Sequence, residues 1–292
     1  MKVRGAELRY QIVIYTFISI LLIMSAFPLL YVVCVSLTTE AEWLQRGNLM
    51  LLPWNPSLEA YKRIFTTNSL IVGSFGISVL RTAAGTVIGL IFTIIPGYAI
   101  SRKDMPGSRA LMFIILITVL FSGGMIPTFL VVKATGLYNN FWSMIVPGLV
   151  YSWSVLVFKQ FFSNLPSEIE EAACVDGVTK FGLMVRIILP MSTAVIAAIG
   201  LFTAVGHWNA WFDAMIYITD NTKKPLQLIL YNMNADANIG YNTNELNQFE
   251  VRVSTRSLRM ALTVIGTIPI LCVYPFLQKY FTKGVYVGAV KG

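Results

Sequence analysis

Hydrophobic positions along this chain do not alternate with polar ones. They gather into six long blocks, near residues 12–37, 72–100, 110–132, 141–162, 191–218 and 258–281. A helix needs about 20 apolar residues to cross a bilayer core, and each block is long enough. The pattern predicts an all-α polytopic membrane protein with six transmembrane helices. The first block is too long for the apolar region of a cleaved signal, and no small-residue cleavage site follows it, so it reads as a retained span. Prolines lie inside the blocks at Pro28, Pro96, Pro127, Pro147, Pro269 and Pro275. In a soluble helix each would cost about 3 kcal/mol. In a membrane they are tolerated where neighbouring helices re-satisfy the freed carbonyl.

Composition agrees. Only 12% of the 292 residues are charged, against roughly 25% for soluble domains. The net charge of +8 comes from Lys and Arg placed between apolar blocks rather than in one stripe, which points to membrane topology and away from nucleic acid. The short segment "SRKDMPGSR", Ser101–Arg109, is the clearest cytoplasmic loop. An even number of spans then puts both termini in the cytoplasm. Two long loops, about 38–70 and 219–255, fall on the outer face of what reads as one membrane domain spanning residues 1–292. The three cysteines, Cys34, Cys174 and Cys272, are far apart, and His207 is the single histidine, so no metal site is expected. The chain has no G-x-x-x-x-G-K-[ST] loop to cradle a nucleotide and no cluster of nucleophile and base. It reads as a non-enzyme with no cofactor of its own.

One polar segment breaks the pattern between the fourth and fifth blocks: "SEIEEAACVDGVTKFGLMVRIILP", Ser167–Pro190. Ser167 and Glu170 have the spacing of a capping box. Glu168, Glu170 and Glu171 sit in the first turn, where the helix dipole favours negative charge. Gly177 supplies the positive φ that ends a helix, and Thr179 caps a second one. The prediction is a short helix, a glycine turn and a helix entering the membrane. Its small residues Ala172 and Ala173 would let another protein approach closely; the plainer alternative is a surface helix with no partner.

The spacing carries more. Glu171-Ala172-Ala173, then three residues, Gly177, nine residues, Ile187, one residue, Leu189-Pro190 resembles the cytoplasmic coupling loop (about 164–190) of the permease subunits of bacterial ATP-binding-cassette importers. The resemblance extends to "NSLIVGS", "GLYNNFWSMIVPGL", "GLFTAVGHWNAWFDAMIYI" and "YPFLQKYFTKGVYVGAVKG". Those stretches look like the carbohydrate class, that of the maltose transporter's second permease subunit. The ending is similar to the second permease of alginate-oligosaccharide importers. The resemblance implies a type I importer permease fold in the bacterial inner membrane. It implies a homologous second permease and an extracytoplasmic solute-binding protein that delivers an oligosaccharide. It also implies two ATPase subunits, which would bind ATP and magnesium and receive Glu170, Glu171, Ala172, Ala173, Asp176, Gly177, Ile187, Leu189 and Pro190. A permease for another solute, such as an amino acid or an ion, is the alternative.

Polar residues inside a span are functional candidates. In the fifth block, on one continuous helix, Asn209, Asp213 and Tyr217 fall on one stripe, and His207 and Trp211 on another. Asn209 and Asp213 have the chemistry to bond sugar hydroxyls, and Trp208 and Trp211 to stack on sugar rings. An aromatic belt at the interface is the alternative. Asp213 is also a candidate partner for Arg81 in the second block. Trp153 and Tyr151 are further pathway candidates. Asn232, Asn234 and Asn238, in a loop that continues with Asn242, Asn244 and Asn247, suit sugar hydroxyls or the binding protein, or an ordinary solvated loop. Arg252, Arg256 and Arg259 would either attract carboxylates or anchor the sixth span at the headgroups.

Overall fold

The computed structural model describes residues 5–46, 52–66, 69–102, 104–239 and 255–289. For some of these, Cys174 and Asn238 among them, it describes the backbone alone. Every regular element among the described residues is helical. By length and apolarity, three helices can cross a membrane singly, with apolar cores at Glu7–Ser36, Leu70–Ser101 and Arg256–Val273. Two more crossings are available if each of two bent helix pairs counts as one span. The chain divides into two compact units, residues 1–72 with 230–268 and residues 73–229 with 269–292.

The first unit contains α1 (Gly5–Ser36), α2 (Glu40–Arg46) and α3 (Glu59–Thr66). Helix α1 is almost bare: 6% of its apolar window is buried by the chain. An apolar surface of that extent must be covered by lipid or by another protein. The segment that follows is held by polar contacts. The Glu42 carboxylate accepts from the backbone N–H of Trp54 at 2.6 Å and from Arg46 at 2.8 Å. Arg46 also lies over the Trp54 ring, 4.3 Å from its centroid. The Ser57 amide donates to the Leu37 carbonyl, and Ser257 donates to the Thr38 carbonyl, both at 2.8 Å. Arg256 stacks over Trp43 at 4.2 Å, so one of the three arginines before the last span is engaged with an aromatic ring. Arg259 is half-buried, and Arg252 lies outside the described residues.

The second unit is built from α4 (Ser69–Ser101), whose first residues belong to the other unit, then α5 (Ser108–Leu120), α6 (Met125–Ala134), α7 (Ser152–Ser163), α8 (Ser167–Val175), α9 (Lys180–Leu183), α10 (Leu189–Met191), α11 (Thr193–Asn209), α12 (Phe212–Tyr217) and the start of α13 (Leu226–Ile239). The last helix, α14 (Thr255–Ala289), runs through both units. Here the structure departs from six uninterrupted spans. The third block is two helices parted at residues 121–124, where Gly124 takes φ +83. At 13 residues, α5 is about 20 Å long, short of a bilayer core of about 30 Å. The fourth block begins as two 3₁₀ turns, Phe141–Met144 and Val146–Gly148, and bends by 50° into α7. The fifth bends by 80° between Lys180–Met191 and α11, and breaks again before α12. The prolines explain part of this. Pro127 and Pro147 sit in first turns, where a missing N–H costs nothing, and Pro190 directly follows a π-helical stretch, Met184–Ile188, within the helical run Lys180–Met191. Pro28, Pro96, Pro269 and Pro275 lie inside long helices.

Several hydroxyls in these helices close on their own backbone. Thr93 donates to the Gly89 carbonyl at 2.6 Å, Ser192 to Ile188 at 2.7 Å and Thr203 to Ile199 at 2.9 Å. Each removes a donor that lipid could not satisfy.

Glu42 gives a direct test of how the outer segment is held. Burial raises its pKa, but the Trp54 amide, Arg46 and the Asn55 amide outweigh that and hold it below the usual carboxylate value. Its contribution is therefore present at neutral pH and lost as the pH falls through the depressed value. Glu42→Ala orphans those donors and should lower stability by about 2 kcal/mol, read from denaturation of the detergent-solubilised chain. A loss as large at acid pH as at neutral pH would contradict this role.

Candidate functional site

Two places in the second unit collect chemistry. The first is α8 and its surroundings. Gly177 has φ +73, and the Val178 amide donates to the Ala173 carbonyl at 3.0 Å, the closing bond of a Schellman turn. Thr179 caps α9 by accepting from the Gly182 amide at 3.1 Å. The helix, glycine turn and second helix are thus all present. A π-helical stretch, Met184–Ile188, carries α9 into α10, and such stretches recur at functional sites.

The small residues part company. Ala172 is exposed, whereas Ala173 is 4% exposed and packs among Phe158, Phe162, Leu183 and Ile188. Ala173 therefore seats α8 on the chain's own core, and the outward surface is Glu171, Ala172, Val175 and Asp176. Val175 is 87% exposed and Phe181, on α9, 71% exposed. Both are apolar side chains on a polar segment, as a protein-docking surface requires. Ile187 and Leu189 are half-buried against the same core, and Pro190 is exposed. Glu170 is drawn away from the capping box: its carboxylate pairs with Arg102.

The second place is a cavity of about 610 Å³, large enough for a small ligand. It is lined by Arg81, Ser143, Tyr151, Trp153, Ser154, Thr203, His207, Asp213 and Tyr217, with Met144, Pro147, Gly148, Phe202, Gly206 and Ala210. Arg81 organises it. Its side chain is 2% exposed and pairs with Asp213. It also donates to the Ala210 carbonyl at 3.0 Å and the Met144 carbonyl at 3.2 Å. Ala210 lies at the α11–α12 break and Met144 ends the first 3₁₀ turn. One guanidinium therefore satisfies two carbonyls that interrupted helices would leave open. Gly85 makes room for His207: a Cβ there would lie 2.5 Å from the imidazole Nε2.

The helix break redistributes the sequence-predicted pathway residues. Asp213, Tyr217 and Trp153 line the cavity, together with His207 and Tyr151. Trp153 and Tyr151 are 55% and 65% exposed. Trp208 is buried edge-on to Phe75, at 5.8 Å, and lines a separate apolar hollow with Thr82, Leu201 and Val205. Trp211 packs against the cluster of Met144, Ala214, Ile218 and Leu228. Asn209 is exposed at the end of α11, outside the cavity lining. The stripe expected of one continuous helix is absent because the chain turns at Ala210. Ser143, Ser154 and Thr203 were missed; their sequence signal is only a small hydroxyl within an apolar block. Asn232 is half-buried and Asn234 exposed on α13. The Asn238 side chain and residues 240–254, including Asn242, Asn244 and Asn247, lie outside the described residues.

Comparison with known proteins gives a consistent answer. Residues 85–286 match the family described as "Binding-protein-dependent transport system inner membrane component". The chain is 40% identical over 265 residues to the protein LplC of Bacillus subtilis, covering 91% of this chain and 89% of the relative. It is 37% identical over 284 residues to the polygalacturonan/rhamnogalacturonan transport system permease protein YtcP of the same organism, covering 97% and 98%. A solved chain of a bacterial ABC transporter involved in import of the acidic polysaccharide alginate superposes with TM-score 0.86 at 28% identity, covering 95% of this chain and 98% of that one.

The clamp predicts non-additive mutations. Asp213→Leu leaves the buried Arg81 charge without its counter-ion, and Arg81→Met leaves the half-buried Asp213 unpaired and the Ala210 and Met144 carbonyls open; each should cost about 3 kcal/mol. Asp213→Leu combined with Arg81→Met should cost less than the sum. The check is the denaturation midpoint of all four proteins in detergent; strict additivity would show that the pair does not act as a unit.

Proposed function

The chain belongs to the binding-protein-dependent transport system inner membrane component family, and from that premise we propose that it is a permease subunit importing oligosaccharides, acidic ones foremost. It pairs with a homologous permease in the bacterial cytoplasmic membrane, both termini inside, with residues 1–292 acting as one six-span domain. A solute-binding protein on the outer side delivers the sugar, and Asn232, Asn234 and Asn238 on α13 are its contact candidates. Two ATPase subunits on the inner side bind ATP and magnesium. The observation that carries the reading is the exposed apolar surface of Val175 and Phe181 beside Ala172, on a helix whose other face is seated in the chain's own core.

The sugar class rests on the relatives and on the cavity. Two of the compared proteins handle polyuronates by name, a polygalacturonan permease and an alginate importer. Uronates and neutral sugars alike present hydroxyls and C–H ring faces. Tyr151 and Trp153 supply exposed rings, Ser154 and His207 supply hydrogen-bonding groups, and Ser143 and Thr203, whose O–H groups donate to the Asn140 and Ile199 carbonyls, supply acceptors. Arg81 is engaged by Asp213 and two carbonyls. A substrate carboxylate is therefore met here by neutral donors rather than by a free guanidinium.

Reconstitution with partner subunits in liposomes tests both halves. Trp153→Ala should raise the KM for oligogalacturonate uptake about tenfold, on the scale of one lost ring contact of about 1.4 kcal/mol, and leave basal ATP hydrolysis unchanged. Gly177→Pro, which cannot adopt the positive φ, should abolish uptake while the apolar helices remain inserted. Transport of an amino acid or an ion, with no uptake of any oligosaccharide, would refute the sugar reading.

A further inference from the structure

The end of α4 and the docking helix α8 are joined by a contact that neither the packing of the core nor the cavity requires. Arg102 follows directly after α4, and its guanidinium pairs with Glu170 on α8. Both side chains are mostly shielded, 17% and 23% exposed. Arg102 also lies over the Tyr98 ring, 4.8 Å from its centroid. Tyr98 meets Phe162 edge-on at 5.9 Å, and Phe162 stacks on Phe158 at 5.7 Å. Ala173, one turn beyond Glu170, seats in the same aromatic group. Helix α8 is thus gripped twice: by Ala173 against α7, and by Glu170 against α4. Helices α4 and α7 are themselves in close contact, since a Cβ on Gly97 would lie 2.8 Å from the Phe158 Cβ. A second ion pair, Lys180 to Asp104 at 2.9 Å, spans the same gap but is exposed. Water and salt weaken such a pair; the shielded one is weakened far less.

We propose that the Arg102–Glu170 pair is a positioning strut that carries displacement of α8 into α4, so that movement of the docking surface becomes movement of the helix bearing Arg81 and the cavity wall. This rests on the permease reading above, and it assigns to Arg102 and Glu170 a role apart from the outward docking residues. A packed alanine alone permits α8 to slide or roll on α7. The shielded ion pair ties α8 to the end of α4 as well, and displacement of α8 then passes into that helix.

The test uses the assembled transporter in liposomes with a saturating oligogalacturonate-loaded binding protein. The readout is ATP hydrolysed per oligosaccharide taken up. Arg102→Glu and Glu170→Arg should each raise that ratio at least tenfold while the ATPase subunits still co-purify. The exchanged pair, Arg102→Glu with Glu170→Arg, and the conservative Arg102→Lys should bring the ratio back to within about threefold of the starting protein. Hydrogen exchange over residues 167–175 of the chain alone, in nanodiscs, should quicken in the single variants and recover in the exchange. An unchanged ratio in the single variants, unchanged exchange, or no recovery on charge exchange overturns the strut. A starting protein that recruits no ATPase and takes up no sugar overturns the permease reading instead, while the exchange experiment still decides whether the pair holds α8.

Discussion

In the hydrocarbon of a bilayer no water is available to a backbone group, so a helix can break there only where the protein itself closes the exposed carbonyls. The second unit depends on that constraint. Its third, fourth and fifth apolar blocks are all interrupted, and interruption is what opens a cavity in a bundle of otherwise apolar helices. Arg81 makes two of the interruptions tolerable by donating to Ala210 and Met144 while Asp213 balances its charge. A buried pair of this kind is weak evidence for stability taken alone, because desolvation offsets much of the attraction. Its value here is geometric. It fixes where α12 and the 3₁₀ turns begin relative to α4.

The cavity and α8 are connected by continuous elements. Helix α7 carries Trp153 and Ser154 at the cavity and Phe158 and Phe162 beneath α8. Helix α11 carries Thr203 and His207 at the cavity and Ile199 in the aromatic cluster. Close-packed interiors transmit displacement rather than absorb it. Under the proposed reading, a push on Val175 and Phe181 therefore reaches the groups that would hold a sugar without any flexible intermediary. The π-helical stretch at Met184–Ile188 and the 80° bend after Met191 are where the regular helix is interrupted beside this route.

Much of this was legible in the residues. The spacing from Ser167 to Pro190 foretold the helix, the glycine turn and the second cap, because those features are set locally by φ preferences and side-chain caps. The Arg81–Asp213 pairing was legible as the cheapest way to hold two charges among apolar residues. The break at Ala210 was not: "HWNAWFD" contains no proline or glycine, and the carbonyl that opens there is closed by an arginine far away in sequence. With the break unseen, Asn209 and Trp211 were placed on stripes of a helix that does not continue, and Trp208 was taken as a stacking ring beside them. Ala173 was likewise read as surface, since a small residue beside Ala172 gives no sign of which face it takes until the helix is docked. Its burial, and the use of Glu170 by Arg102 in place of a capping box, are both tertiary choices.

Under the proposed function, α8 receives the energy of ATP from another chain through its outward face. The most direct measurement is site-specific cross-linking in the assembled transporter, with a single cysteine placed at Val175 in an otherwise cysteine-free chain. The expected result is a cross-link to an ATPase subunit whose yield changes between the nucleotide-free and ATP-bound states. A Val175 cysteine that reaches no ATPase subunit in either state, while the same transporter still imports sugar, would contradict it.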